Sequence, residues 1–277
     1  MKVTGFDASD LVVVGGTLSN LSSTDGINWT ATFTPTPGFT GTASVTVTAG
    51  SYTDLNGNLG TSGSDTAGVD TQGPSVVVNI VDDVLTVGET SEVTFTFSEK
   101  VTGFDASDLV VVGGTLSNLS STNGINWTAT FTPTPGFTGT ASVTVTAGSY
   151  TDLNGNLGTS GSDTAGVDTQ GPSVVVNIVD DVLTVGETSE VTFTFSEKVT
   201  GFDASDLVVV GGTLSNLSST DGINWTATFT PTPGFTGTAS VTVTVGSYTD
   251  LNGNLGTSGS DCRRGYPRPK RRGEHCR

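Results

Sequence analysis

Carboxylate and amide side chains recur at fixed places in this sequence, and their types suit the binding of a hard metal ion. Calcium takes about six to eight oxygen ligands from Asp, Glu, Asn and backbone carbonyl groups. The run Asp152-Leu-Asn-Gly-Asn156 resembles the start of a calcium loop, although it lacks the distal Glu of an EF-hand. Asp and Asn also favour turns, so a purely conformational role is the alternative. The candidate ligands are Asp70, Asp82, Asp83, Asp105, Asp152, Asn154, Asn156, Asp168, Asp180, Asp181, Glu197, Asp203, Asp250, Asn252 and Asn254.

The same residues do not favour catalysis. Residues 1–261 contain no His and no Cys, and no candidate nucleophile has a base at a recognisable spacing. Asp105 and Asp108 could in principle perform acid-base chemistry, but a loop of this kind better suits a metal ion. We therefore expect that the chain is not an enzyme.

The candidate ligands recur because the chain repeats itself. The run Val3-Thr-Gly-Phe-Asp7 returns at Val101 and at Val199, which gives a period of 98 residues. Only two columns vary between the overlapping copies; they hold Asp25, Asn123 and Asp221, and Ala49, Ala147 and Val245. A unit of this length can bury a core of its own, whereas solenoid repeats are usually about 20 to 50 residues long. The chain is therefore a tandem array of one domain.

The period predicts three repeats and a tail. Residues 1–72 form a repeat without its first two strands, because Met1 aligns with Glu99. Residues 73–170 form a complete repeat, and residues 171–261 form a repeat with a truncated last strand. Residues 262–277 are the tail. We expect the first repeat to be the least stable, and the chain to be a piece of a longer array.

Alternating apolar residues predict the fold of one repeat. Val93, Phe95 and Phe97 alternate with Thr, as do Trp127, Ala129 and Phe131, and then Ala141, Val143 and Val145. Turn signals follow roughly every 8 to 12 residues, and no segment has helical periodicity. The pattern predicts an all-β protein of tandem immunoglobulin-like sandwiches, with about seven antiparallel strands each, arranged as beads on a string. The core should consist of Phe95, Phe97, Trp127, Phe131, Val143 and Val145.

This topology would bring the candidate ligands together where two domains meet. The loop after the first strand should lie at the bottom of a sandwich beside the exiting linker, and the loop before the last strand at the top of the next. One junction would then contain Asp82, Asp83, Asp168, Asp250, Asn252 and Asn254, with Glu197 and Asp203 on the same upper face. Carboxylates placed so closely would repel one another unless a cation lay between them.

The charge of the chain is divided between the repeats and the tail. The formal net charge is −17, yet seven of the ten Lys and Arg residues follow Asp261. The acidic repeats should repel nucleic acid and anionic membranes. No apolar run of about 18 residues predicts a membrane span, and Met1 is not followed by a signal peptide.

The tail is consistent with the next repeat translated out of frame. Codons chosen for residues 164–180, read two bases later, encode the whole of residues 262–277. We therefore expect this Arg-rich, Pro-rich segment to be disordered, with Cys262, His275 and Cys276 binding no metal.

Several motifs together resemble a known family. The linker Val-Asp-Thr-Gln-Gly-Pro, the strand Val-Thr-Phe-Thr-Phe-Ser-Glu and the run Thr-Asp-Leu-Asn-Gly-Asn are similar to bacterial immunoglobulin-like extender repeats. Such repeats form the long middle of type I-secreted, repeats-in-toxin-like adhesins and biofilm-associated surface proteins. The resemblance implies calcium between domains, export without a cleaved signal, and a place at the bacterial cell surface. The partners it implies are the adjacent repeats and an unknown receptor held by domains that this sequence does not contain.

Two functions remain open. The leading hypothesis is that the repeats are spacers, stiffened by calcium at their linkers, that hold an adhesive domain away from the cell. Alternatively, each repeat is itself a glycan-binding or protein-binding module. That alternative requires exposed aromatic side chains, and Tyr150 is the best candidate outside the predicted core.

Overall fold

A computed structural model describes residues 1–264, and they form three successive groups of strands. The first repeat contains β1 (Val3–Thr4), β2 (Leu11–Val14), β3 (Gly16–Ser22), β4 (Thr30–Pro35), β5 (Thr40–Val47), β6 (Thr53–Asp54) and β7 (Gly63–Asp70). The second contains β8 (Val76–Ile80), β9 (Val84–Thr86), β10 (Ser91–Phe97), β11 (Val101–Thr102), β12 (Leu109–Val112), β13 (Gly114–Ser121), β14 (Asn126–Pro133), β15 (Thr138–Val145), β16 (Thr151–Asp152) and β17 (Gly161–Asp168). The third contains β18 (Val174–Ile178), β19 (Ser189–Phe195), β20 (Leu207–Val210), β21 (Gly212–Ser219), β22 (Asn224–Pro231), β23 (Thr238–Val243) and β24 (Gly259–Arg264).

Each repeat also contains a single turn of 3₁₀ helix before its LVVV strand. These turns span Ala8–Asp10, Ala106–Asp108 and Ala204–Asp206. Within residues 1–264, the structure contains no helix that could cross a membrane.

Two four-stranded sheets build the second repeat. One sheet has the order β13-β14-β10-β8 and the other the order β12-β15-β17-β9, while β11 and β16 form a small separate pair. Tandem Ig-like sandwiches are therefore confirmed as the fold. The strand count differs from about seven, because β9, β11 and β16 are too short to leave an alternating pattern. The pairing of β9 with β17 is also parallel, so the sandwich is not wholly antiparallel.

The core lies between these sheets, and strand alternation accounts for much of it. In β10 the residues Val93, Phe95 and Phe97 point inward and are buried, as expected from their spacing. Phe131, Val143 and Val145 are buried too. Trp127 is half-buried and packs against this cluster. The predicted core is thus confirmed, with Trp127 at its margin.

One aromatic residue joins the core from a loop. Phe104 lies between β11 and the 3₁₀ turn, yet it is buried. Its ring makes edge contacts with those of Phe97, Trp127 and Tyr150, at centroid distances of 4.9, 5.1 and 5.9 Å. Such edge-to-face pairs add to the stabilisation from buried area. Phe104 therefore packs β10, β14 and the loop before β16 against one another.

The first repeat has the same local elements but a smaller assembly. Its described strands form a three-stranded sheet, β2-β5-β7, and two pairs, β3-β4 and β1-β6. Strands equivalent to β8, β9 and β10 are not among them, so Phe33 and Val45 are only half-buried and Ala67 is exposed. In the described strands, the first repeat is therefore open on the side that β8, β9 and β10 cover in the second repeat.

The end of the third repeat corrects one expectation. Residues 262–264 were expected to be disordered, but they belong to β24 and pair with β23, with Ser240 opposite Cys262. Strand pairing uses backbone N–H and C=O groups, so an out-of-frame sequence can still extend a ladder that Gly259 to Asp261 begin. The rest of the predicted tail, residues 265–277, lies outside the described residues.

Candidate metal centre at the repeat junctions

Two groups of three carboxylates lie where one repeat meets the next. Within each group, one oxygen atom from each residue lies within 4.8 Å of the others. Each group combines the end of a last strand, a residue two positions after β10 or β19 of the following repeat, and the start of that repeat's final loop. The first group consists of Asp70, Glu99 and Asp152, and the second consists of Asp168, Glu197 and Asp250.

The final loop holds its own shape through its first Asp. The Asp250 Oδ1 atom accepts hydrogen bonds from the backbone N–H groups of Asn252, at 2.8 Å, and Asn254, at 2.9 Å. The Asn254 side chain donates to Asp250 Oδ2 at 2.7 Å. Gly253 has a φ of 85°, a left-handed conformation in which glycine is favoured. The Asp-Leu-Asn-Gly-Asn spacing is therefore what positions these oxygen atoms.

The same loop reaches back to the preceding repeat. Asn252 Nδ2 donates to Asp168 Oδ2 at 2.6 Å, and Asn254 Nδ2 donates to the Asp168 carbonyl oxygen at 3.2 Å. Thr138 Oγ1 donates to Asp168 Oδ1 at 2.7 Å, from within the preceding repeat. The first junction has equivalent bonds from Asn154 and Asn156 to Asp70. Asp70 and Asp168 thus connect two domains.

A glycine in the linker permits this close approach. A Cβ atom on Gly171 would lie 2.0 Å from the carbonyl oxygen of Leu255, and one on Gly73 would lie 1.9 Å from that of Leu157. No larger residue fits there unless the backbone moves. The next residue also docks, since the Pro172 carbonyl oxygen accepts from Thr257 N at 2.9 Å.

The negative charges within each group change the pKa of the neighbouring carboxylates. The pKa of Glu197 is raised by burial and then by the negative charges of Asp250 and Asp168. The pKa of Glu99 is raised by burial, Asp152 and Asp70 in the same way. Burial opposes ionisation of Asp168, but hydrogen bonds from Thr138, Asn252 and Gln170 outweigh it and lower its pKa. In each junction, burial and neighbouring negative charge therefore oppose ionisation of the Glu side chain.

An unpaired oxygen atom tests whether a cation would suit the second junction. Asn254 Oδ1 is buried and has no hydrogen-bond partner. A buried acceptor without a donor is costly unless something positive approaches it. Every side-chain candidate at the junction offers oxygen, the ligand that calcium prefers. Asp168, Glu197 and Asp250, with Asn252 and Asn254 beside them, fit a hard divalent cation.

Six of the predicted carboxylate ligands lie outside both groups. Asp105 and Asp203 cap 3₁₀ turns, accepting from Ser107 N and Ser205 N at 2.7 Å. Asp82 and Asp83 precede β9, and its pairing with β17 places Thr86, not these residues, opposite Asp168. Asp180 and Asp181 are their equivalents in the third repeat. Metal binding by these six residues stays a prediction.

One group member was missed by the sequence reasoning. Glu99 completes the first junction as Glu197 completes the second. The signal was available, because subtracting the period of 98 from 197 gives 99.

The structure also places the tyrosine considered as a ligand-stacking residue. Tyr150 is buried, and its hydroxyl donates to Thr159 O at 2.7 Å. Its ring is therefore not available to a glycan.

Comparison with known proteins identifies the family. The sequence profile described as bacterial Ig-like domain matches residues 1–69, 70–167 and 168–264. No curated protein matches the chain. Invasin, described as a bacterial integrin-binding protein, is similar with 14% identity and a TM-score of 0.32, over 87% of this chain and 56% of invasin. The Yersinia pseudotuberculosis adhesin InvE is similar with 16% identity and a TM-score of 0.28, over 69% of this chain and 58% of InvE. A three-domain segment of titin is similar with 10% identity and a TM-score of 0.37, over 92% of this chain and 87% of that segment.

The chain spans little more than half the length of either bacterial adhesin. These identities and TM-scores are too low to transfer a function, so the assignment rests on the profile alone. Because three consecutive matches cover residues 1–264, the chain belongs to the bacterial Ig-like domain family.

Proposed function

We propose that these repeats are spacers of a bacterial surface adhesin, and that calcium binding at their junctions stiffens the array. The observation that carries this proposal is the group formed by Asp168, Glu197 and Asp250, which draws its members from two adjacent repeats. An ion bound there touches both domains at once. It therefore restricts their relative motion, which an ion bound within one domain would not do.

The electrostatics support a cation. Three carboxylates within 4.8 Å repel one another in the ion-free junction. A divalent ion would attract all three carboxylates, with Glu197 in its ionised form. Because these carboxylates come from two repeats, ion binding would also fix the positions of the two repeats relative to each other.

The composition suits a stalk outside the cell. Residues 1–261 contain no Cys, so their stability does not depend on a disulfide. The high negative charge keeps a long array soluble and discourages neighbouring stalks from associating. In this proposal the adhesive function belongs to a distal domain, and these repeats set its distance from the cell.

The test compares the chain with calcium and with chelator. At a free calcium concentration of about 100 times Kd, the stabilisation should be about 2.7 kcal/mol for the bound unit. This corresponds to a melting temperature about 11 to 22 °C higher for a domain of this size. Small-angle X-ray scattering should show a longer maximum dimension with calcium than with chelator.

Matched variants locate the effect. Asp168→Asn should abolish the calcium response of the second junction. Asp221→Asn removes the same charge from an exposed hairpin, and the second repeat naturally has Asn123 at that place, so its calcium response should equal that of the parent. Equal melting temperatures and dimensions in calcium and chelator would refute the proposal. A full calcium response in a chain with both Asp70→Asn and Asp168→Asn would place the ion elsewhere.

A further inference from the structure

One long stretch of each repeat is almost free of charge, although the chain is strongly acidic. Residues 109–151 contain no Asp, Glu, Lys or Arg, while the formal net charge of the chain is −17. The same stretch of the first and third repeats contains one charged residue, Asp25 or Asp221. It forms β12 to β15 and includes an edge strand of each sheet, β12 and β13. Like charge opposes contact between copies elsewhere, so two copies repel each other least along these edges.

The two edge strands differ in their protection against further pairing. β13 contains a β-bulge, seen as a register shift between Ser117 and Ser120, and Asn118 there has a φ of 58°. Bulges interrupt an edge and hinder the addition of another strand. β12 pairs regularly with β15 and has no charged residue, and its Val110 and Val112 side chains are 55% and 48% exposed. β12 is therefore the open edge.

The register of β12 shows which of its main-chain groups face this edge. Thr146 N donates to the Asp108 carbonyl oxygen at 2.9 Å, next to the pairing of β12 with β15. Main-chain groups alternate in direction along an antiparallel strand, so those of alternate residues up to Val112 also face β15. The main-chain groups of Leu109 and Val111 therefore point away from β15, toward the edge.

Four main-chain groups at this edge are available to another strand. The Gly113 N–H also points to the edge, because the carbonyl group of the preceding residue faces β15. Leu109 N–H already donates to Ala106 O, and Gly113 O already accepts from Thr134 N at 2.9 Å. Among the described residues, the N–H and C=O of Val111, the Leu109 C=O and the Gly113 N–H have no backbone partner.

These four groups complement one another across a two-fold axis. When two copies of β12 run antiparallel with their Val111 residues opposite, each Val111 N–H meets the Val111 C=O of the other copy. Each Leu109 C=O then meets the Gly113 N–H of the other copy, which gives four hydrogen bonds. On the outer face, Val110 packs against Val112 of the other copy, and cross-strand pairs of this kind stabilise a sheet. No group that is already bonded has to give up its partner.

We propose that β12 is a self-association edge, which pairs antiparallel with β12 of a second copy of this chain about a two-fold axis at Val111. The same edge recurs at β2 and β20, where Val12, Val14, Val208 and Val210 are exposed. Repetition along an array multiplies a contact that is weak by itself. Arrays therefore associate side by side through these edges.

The test measures self-association of the full chain by sedimentation equilibrium, in chelator so that the proposed calcium sites play no part. Reversible self-association is expected. Raising NaCl from about 0.05 M to about 0.5 M should strengthen it, because salt screens the repulsion between the acidic surfaces. A chain that stays monomeric up to about 1 mM at the higher salt concentration would overturn the proposal.

Two variants with equal added charge separate the edge from a general effect of charge. The edge variant carries Val14→Glu, Val112→Glu and Val210→Glu. The control variant carries Val77→Glu, Val87→Glu and Val175→Glu, and all six valines are exposed. At about 0.5 M NaCl the edge variant should associate at least about tenfold more weakly than the parent, and the control within about twofold of it. Equal weakening by both variants would contradict pairing through β12.

Disulfide trapping tests the register. One chain carries Val110→Cys and another Val112→Cys, both with Cys262→Ser and Cys276→Ser. These positions face each other in the proposed pair, at a Cα separation that suits a disulfide. Under oxidising conditions the mixture should form a linked dimer at least about tenfold faster than a mixture of the Val77→Cys and Val112→Cys chains. Equal rates would rule out this register.

Discussion

The first and second repeats have almost the same sequence over residues 1–70 and 99–168, but their interiors differ. β1 to β7 correspond to β11 to β17, with the same turns and the same 3₁₀ helix. Phe131 is fully buried, whereas Phe33 is half-buried. Ala165 is buried and Ala67 is exposed. The second repeat differs by possessing β8, β9 and β10.

The comparison separates structural features that depend on neighbouring residues in the sequence from features that depend on distant ones. Strand alternation, glycine turns and the Asp-capped 3₁₀ turn form in both repeats, because each depends on residues close in sequence. Burial depends on a partner sheet, and half of that sheet comes from residues 73–98. Most of the stability of such a domain comes from buried apolar surface, so two repeats of equal local structure should differ greatly in stability.

The largest expected effect concerns the phenylalanines at equivalent positions of the two repeats, Phe131 and Phe33. Phe131→Ala should cost about 3 to 5 kcal/mol, because it leaves a cavity in a closed core. Phe33→Ala should cost about 1 kcal/mol, because that ring is already partly exposed. Urea denaturation would be followed with Trp127 or Trp29 as the only tryptophan, the others being changed to Phe. Equal losses would show that the first repeat has a closed core in solution.

A smaller effect should come from a pair of glycines that lie against tyrosine rings. A Cβ atom on Gly158 or Gly60 would lie 2.2 Å from the ring of Tyr150 or Tyr52. Tyr150 is fully buried, so its ring cannot move aside. Gly158→Ala should therefore cost about 2 kcal/mol by overpacking.

The half-buried Tyr52 can shift, so Gly60→Ala should cost less than about 1 kcal/mol. Thermal unfolding with the same single-tryptophan reporters measures both changes. A cost for Gly60→Ala as large as that for Gly158→Ala would mean that Tyr52 is held as firmly as Tyr150.

The smallest effect concerns a position where the two repeats differ. Asp25 has a lowered pKa because its carboxylate accepts from the backbone N–H groups of Asn28 and Ile27. Asn123 accepts from the equivalent groups with a neutral amide oxygen, at 2.8 and 2.9 Å. A folded-state pKa below the unfolded value gives stability that is present above the unfolded pKa and is lost as the pH falls through the folded pKa.

Asn123→Asp should therefore stabilise the second repeat slightly at neutral pH, and this gain should disappear in strong acid. Asp25→Asn should have the opposite effect in the first repeat. Melting curves recorded from about pH 7 down to about pH 2 follow both changes. A gain from Asn123→Asp that grows in acid would contradict the assigned hydrogen bonds.

The sequence predicted the fold where side chains alternate over several residues. Val93 to Phe97 and Val143 to Val145 carry that pattern, and their burial followed from it. Phe104 was not predicted, because it lies in a loop and is buried only through contacts with Phe97 and Tyr150. The parallel pairing of β9 could not be predicted from the sequence either, because a strand of three residues has no alternating pattern and its partner is about 80 residues away.

The junction was predicted in part for a similar reason. The spacing within Asp250 to Asn254 fixes a local loop, and the repeat topology brings that loop to the linker residue Asp168. The placement of Asp82 and Asp83 depends on how β9 continues beside β17, which local reasoning could not establish.

The short linker has a consequence for folding. β8 and β18 have the same sequence, and β9, which continues from β8, runs parallel to the last strand of its repeat. To take the place of β8 in the second repeat, β18 would have to return along the whole of β17, about 26 Å. Residues 169–173 extend about 17 Å at most, so the linker cannot make that return. A tether of this length keeps identical neighbours from exchanging strands as they leave the ribosome, which allows the array to be built from nearly identical copies.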